Sequence, residues 1–276
     1  MNQKSTTLLL SVLALGAVLA HAQAPAATAA PAPAPAAPST SWVVTPAFAS
    51  QYMFRGARLG GPSFQPAIEF DAGSLALDVW NNTPISNKVD GQSDPEFDIY
   101  GSYSIEVIKD TLSWVPGFTI YTYPNANEAN GFYKATYEPN LALNYSVAGW
   151  KFTPKLYYDL KLKGPTAEIT AAYTIPLPSA KTEIDFTAQY GTFKWTDFAP
   201  NAVNSLGAPV KVKNVGDYYS VGLACPFQVN ASSKLTIGWA YVKGDNNFLK
   251  YGNDARFSNS AAVGRGVVTV SYGISF

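Results

Sequence analysis

Histidine occurs once in the 276 residues, at His21, and cysteine once, at Cys225. A single cysteine cannot close an internal disulfide, so this chain is not a disulfide-stapled secreted scaffold. A single histidine leaves no room for a His-ligated metal and little for a Ser–His or Cys–His nucleophile. The reading therefore calls for no catalytic residue, no metal and no cofactor. Charge is equally sparse: 14% of residues are charged, with Lys+Arg and Asp+Glu at 19 each. That balance leaves no basic excess for a nucleic-acid partner. Beyond the N-terminal region no run reaches the 18 or more apolar residues of a spanning helix, and no 3.6-residue period competes for the chain.

What is present begins with Lys4 and the apolar run LLLSVLALGAVLA (8–20), followed by small residues around Ala22. This is the layout of a cleaved signal peptide over 1–22, expected to direct export through the Sec pathway; its removal would take His21 with it. Residues 23–41 are rich in Ala and Pro, carry no charge and bury nothing, and are expected to form a disordered tether. Residues 42–276 are long enough for one large all-β domain.

Within that domain apolar and polar residues alternate almost without pause, as in LTIGWAYV (235–242), IDFTAQYGT (184–192) and FTPKLYYDLKL (152–162). Side chains of a strand point alternately to opposite faces, so each run has one greasy and one polar side. About twelve strands are predicted, over 43–56, 63–71, 74–81, 95–107, 111–123, 132–146, 150–162, 166–177, 182–192, 217–229, 233–243 and 264–276. The connections AGS (72–74), IKD (108–110), VAG (147–149), PSAK (178–181) and NASS (230–233) are tight. The alternate ones run longer, above all 82–94, 124–131, 193–216 and 244–263. Sorting short turns to one end and long loops to the other is the pattern of a transmembrane antiparallel up-and-down β-barrel, and a soluble sandwich has no reason for it.

In that frame the outward residues meet outer-membrane lipid. Tyr52, Phe54, Tyr190, Trp239 and Tyr241 are expected at the upper interface, with Phe152, Tyr145 and Tyr272 at the lower one. Cys225 phases toward lipid as a small apolar side chain. The segment GDNNFLKYGNDAR (244–256) superficially suggests a calcium loop, but Arg256 stands where the bidentate acid should be, so it reads as a surface loop.

The first hairpin, FASQYMFRG (48–56) followed by GPSFQPAIEF (61–70), resembles the opening of the TorF-like porins, the Gcw_chp family of outer-membrane proteins. DIYGSY (98–103) and IYTYP (120–124) extend the likeness. The resemblance implies an outer-membrane barrel of a Gram-negative-type bacterium, with a pore and no named solute. It also implies that Val268, Val270, Tyr272, Ile274 and Phe276 form the C-terminal signal read by barrel-assembly machinery.

Parity places Glu69, Asp71, Asp78, Asp98, Glu106, Glu138, Asp159, Glu168 and Asp185 on the lumen face, against the bases Arg55, Lys134, Lys155, Lys161 and Arg265. An excess of acids favours a cation-preferring channel for passive diffusion of small hydrophilic solutes. The alternative is a closed barrel, structural or adhesive, whose lumen is filled by paired charges; inward Trp80, Tyr100 and Tyr157 would narrow either. Arg55 is placed on the first strand, opposite Gln65 and near Glu69, either setting a constriction or closing a buried ion pair.

Overall fold

The structure, a computed structural model, describes residues 40–86, 94–126, 133–196, 215–244 and 264–276. They form a closed antiparallel barrel of 12 strands. The uninterrupted members are β7 (Leu75–Pro84), β10 (Leu112–Thr122), β11 (Ala135–Val147), β12 (Trp150–Asp159), β13 (Gly164–Leu177), β14 (Thr182–Lys194), β15 (Val215–Asn230), β16 (Ser233–Gly244) and β17 (Arg265–Ser275). Three others are broken where the backbone cannot donate or the register slips. Pro46 separates β1 (Thr40–Thr45) from β2 (Ala47–Ala49), and Gln65 and Pro66 separate β5 (Ser63–Phe64) from β6 (Ala67–Ala72). Ser104 separates β8 (Glu96–Tyr103) from β9 (Ile105–Ile108). A proline has no N–H for the ladder, which is why two of these breaks sit at prolines.

Closure joins the last strand to the first: β17 pairs β1 through Val43↔Ser275 and β2 through Phe48↔Val270. Phe276 donates its N–H to the Trp42 carbonyl at 2.9 Å. With no sheet edge left open, backbone groups are satisfied within the wall, as lipid requires. Side chains follow the pleat. Along β16, Thr236, Ala240 and Val242 are buried while Ile237 and Trp239 are 46% and 47% exposed. Tyr190, Tyr145, Val268 and Val270 also face outward. The tight turns lie at one end, four of them with left-handed backbone, at Gly73, Asp110, Ala148–Gly149 and Lys181.

One expectation fails. The predicted first strand, 43–56, leaves the wall after Ala49, and residues 52–60 form a separate two-stranded hairpin, β3 (Tyr52–Phe54) with β4 (Ala57–Gly60). Tyr52 is therefore no interfacial aromatic; it is 1% exposed, and Phe54 packs with it inside the barrel. The pleat period alone could not reveal this, because the alternation of a wall strand and of an inward hairpin is the same. Residues 245–256, read from the sequence as a surface loop, and most of 193–216 and 244–263 lie outside the described residues.

Candidate functional site: an inward hairpin above an acidic vestibule

The hairpin begins where Ser50 satisfies the neighbouring strand for the last time, its N–H donating to the Val268 carbonyl and its Oγ accepting the Val268 N–H, both at 2.8 Å. Arg58 Nε then donates to Gln51 Oε1 at 2.7 Å, tying the base of the hairpin. Phe54 pairs with Ala57, so Arg55 and Gly56 form a two-residue turn with φ of 45° and 80°. Positive φ at both central positions is the type I′ pattern that suits hairpin twist. What draws the hairpin inward is apolar burial. Tyr52, Phe54 and Leu59 pack against Ala67, Trp80 and Tyr100, while Met53 joins Ala49, Ala224, Ala240, Val242 and Val267. The Tyr52 and Trp80 rings lie 5.6 Å apart, as do those of Phe54 and Tyr121.

The tip meets the wall at β15 and β16 and reaches across the lumen to β11. A Cβ on Gly56 would stand 2.4 Å from Gly244 Cα and 2.7 Å from Tyr218 Cβ, so no larger residue fits there without movement. Arg55 donates from Nη1 and Nη2 to the two carboxylate oxygens of Glu138, each at 2.8 Å. Its Nε lies 3.8 Å from Glu168 Oε1, and its guanidinium sits 4.8 Å from the Phe54 ring centroid and 4.9 Å from that of Tyr157. Arg55 thus points into the lumen, but its partner is Glu138 on β11 and not the Gln65–Glu69 stretch next door. Gln65 instead donates to Asn82 Oδ1 at 2.9 Å.

Around this tip the carboxylates are held by tyrosine hydroxyls. Tyr121 donates to Glu138 Oε2 at 2.8 Å, Tyr157 to Glu168 Oε2 at 2.7 Å and Tyr100 to Asp98 Oδ2 at 2.5 Å. Tyr218 donates to Glu168 Oε1. Lys155 sits opposite Glu168 in the ladder with its Nζ 4.7 Å from the Tyr157 ring centroid. This tier is nearly sealed: Asp98 is 0% exposed, Glu138 1% and Glu168 6%. A buried carboxylate without donors is costly, and the tyrosines and Arg55 supply them.

Below the hairpin the lumen opens toward the tight-turn end. Glu69 and Asp78 are direct ladder partners on the inner face, with Asp71 one pair lower. Across the vestibule stand Asp185, accepting from Thr174 Oγ1 at 2.7 Å, then Glu183 and Lys234. All of these except Glu69 are partly exposed.

Two other parity-assigned residues have local duties. Glu106 is exposed at the lower rim, where its Oε1 accepts the Asp110 N–H at 2.9 Å. Asp159 is buried, yet its Oδ1 accepts the Lys161 and Leu162 N–H groups at 2.7 and 2.6 Å, which caps the 160–163 turn. Lys134 and Lys161 are exposed and lie just beyond the strand ends, the Lys161 Nζ 5.3 Å from the Tyr133 ring centroid. Sequence reasoning overlooked Glu96, Lys151, Glu183 and Lys234; each carries the inward parity of its strand and lies at or next to its first residue, inside the predicted spans, so the same alternation that placed Asp98, Lys155 and Asp185 could have found them. Among the described residues no group of three or more His, Cys, Asp or Glu could hold a metal ion.

Residues 34–271 match a family described as "Bacterial protein of unknown function (Gcw_chp)". Among solved structures, the NanC porin superposes with a TM-score of 0.52 at 12% identity, covering 84% of this chain and 98% of that one. The KdgM porin, solved in complex with disordered oligogalacturonate, gives 0.50 at 11% identity, covering 86% and 99%. At such identities the likeness establishes the outer-membrane porin fold. No curated protein matches the chain.

Proposed function

This chain belongs to the Gcw_chp family, and we infer that it is an outer-membrane channel for passive diffusion of small hydrophilic solutes, narrowed by its inward hairpin. The observation that carries this reading is the contrast between the two lumen tiers. A vestibule lined by partly exposed ionisable residues, Asp71, Asp78, Glu183, Asp185 and Lys234, leads to a narrow tier set by Arg55 and its partners. Structural cores do not line a cavity with solvated carboxylates; water-filled lumens do. The resemblance of the first hairpin to the TorF-like porins supports the same reading, as does the porin fold.

Cargo preference follows from charge. In the sealed tier Glu138 is neutralised by Arg55, and the other acids are held by hydroxyls. The vestibule keeps Glu69, Asp71, Asp78, Glu183 and Asp185 against Lys234. The channel should therefore favour cations, the opposite of what an anionic oligogalacturonate would need. Export through the Sec pathway and insertion by the barrel-assembly machinery, with Val268, Val270, Tyr272, Ile274 and Phe276 as its signal, complete the proposal.

A second reading is favoured by one observation: the hairpin tip is in close contact with the wall at Gly244. Gly244 itself stands on β16, two strands from the hairpin's own wall, and the far side of the lumen is reached through Arg55 and Glu138 on β11; a tip held at both places would suit a closed barrel with a structural or adhesive role. Planar-bilayer recording of the purified protein separates the two, since discrete conductance supports the channel and its absence from folded protein supports the closed barrel.

A further inference from the structure

We propose that the Glu69–Asp78 pair is a binding site for a solute bearing a primary ammonium group, entered from the tight-turn end; the inference deepens the channel reading and rests on it for the route of the solute. The two residues face one another directly across the β6–β7 ladder, a geometry that sets their Cβ atoms about 4.5–5.5 Å apart. Both are acids, a pairing that costs stability unless something positive or a proton comes between them.

The flanking strands offer no such group. Glu69 has Val43 as its other ladder neighbour, and Asp78 has Tyr100, whose hydroxyl is already given to Asp98. Above them lie Ala67 and Trp80, roofed by Tyr52 of the hairpin. Below is Asp71, a third acid. Lys234, across the vestibule, is shared among Glu183, Asp185 and Glu69, one cation against three acids. Glu69 is 7% exposed and its Oε1 has no hydrogen-bond partner. A buried acceptor among acids and aromatic walls is thus left unmatched, whereas Asp98, Glu138 and Glu168 in the tier above each accept from at least one tyrosine hydroxyl.

The chemistry selects the ligand. An ammonium presents three donors from one compact charge and no acceptor, so two facing carboxylates can share it. A calcium ion asks for 6–8 oxygen ligands, and the described residues contain no acidic group of three or more placed for a metal. Asp78 and Asp71, both partly exposed, lead from the lower mouth to Glu69.

The test is calorimetric titration of the detergent-folded full-length protein with propane-1,3-diamine, set against tetramethylammonium, which has no N–H to donate, and magnesium, all at matched ionic strength. The expected result is one saturable site per chain for the diamine and at least about tenfold weaker binding of tetramethylammonium. The double variant Glu69→Gln/Asp78→Asn should lose the site while keeping the heat-modifiable migration of a folded barrel, and Glu69→Gln alone should weaken it should the double variant fold poorly. No heat of binding in the folded wild type would mean that the pair merely shares a proton, and the proposal fails. Equal binding of diamine and tetramethylammonium, or of diamine and magnesium, would mean charge screening without a built site and also overturns it. Because binding is read without conduction, a site found in a non-conducting protein would refute the channel reading alone.

Discussion

Arg55 and Glu138, 83 positions apart, are joined by two parallel hydrogen bonds of 2.8 Å that run from the tip of an inward hairpin to the far wall of the barrel. Arginine's planar fork matches a carboxylate in this bidentate way, and lysine's does not. The pair is almost wholly buried, with side chains 3% and 0% exposed. Removing one partner of such a pair leaves the other uncompensated, at a cost of about 3–5 kcal/mol. Arg55→Ala should therefore release the hairpin tip and lower the unfolding midpoint, while Arg55→Lys should recover only part of the loss. A double-mutant cycle with Glu138→Gln checks this: additive effects would show that the two residues are not coupled.

Gly56 supplies an independent way to move the hairpin. Any Cβ there collides with the backbone of Gly244 at 2.4 Å, and its φ of 80° already strains a non-glycine residue. Gly149, at φ 82°, shares the strain but meets only the Tyr173 ring, 3.0 Å away at the lower turn. Gly56→Ala should raise single-channel conductance, and Gly149→Ala should leave it unchanged. Equal conductance in all three proteins would show that the tip does not set the narrow section.

The lipid face gives a prediction of stability alone. Ile237 is 46% exposed on the outer wall and Thr236 is 4% exposed on the inner one. A charge facing lipid near mid-membrane costs about 2–4 kcal/mol. Ile237→Lys should impair folding far more than Thr236→Lys, as read by the fraction of heat-modifiable protein after refolding into detergent. Equal tolerance would reverse the inside–outside assignment.

Much of this was legible in the sequence, for physical reasons. Strict alternation in stretches such as 235–242 fixes which side chains meet lipid, and the tight turns at 72–74 and 147–149 fix the end at which both termini lie. The first hairpin was not legible. Tyr52, Phe54 and Arg55 alternate as a wall strand would, and only the Arg55–Gly56 pair, two positive-φ positions in a row, marks the reversal. Nor could parity reveal partners: Asp98 and Glu168 phase inward, yet whether they face water or a tyrosine hydroxyl depends on strands far away in sequence. Asp159 phased inward too, but its oxygen is spent on two backbone N–H groups of the next turn.

Ion selectivity should trace to the vestibule and not to the sealed tier. Exposed carboxylates act over a Debye length of about 10 Å at 0.1 M salt and about 3 Å at 1 M. Reversal potentials should show cation preference in dilute electrolyte that fades in concentrated electrolyte. Neutralising Asp71 and Asp185 to asparagine should weaken it, whereas Asp98→Asn should act mainly on stability, since Asp98 is bound to Tyr100. Anion preference in dilute salt would contradict the assignment.

The most direct test of the central claim is single-channel recording of wild type and Arg55→Ala side by side in a planar bilayer, each shown beforehand to be folded by heat-modifiable migration. A channel narrowed by a pinned hairpin predicts discrete conductance in the wild type and a larger one in Arg55→Ala. Silent bilayers with folded wild-type protein, or identical conductance in the two, would contradict it.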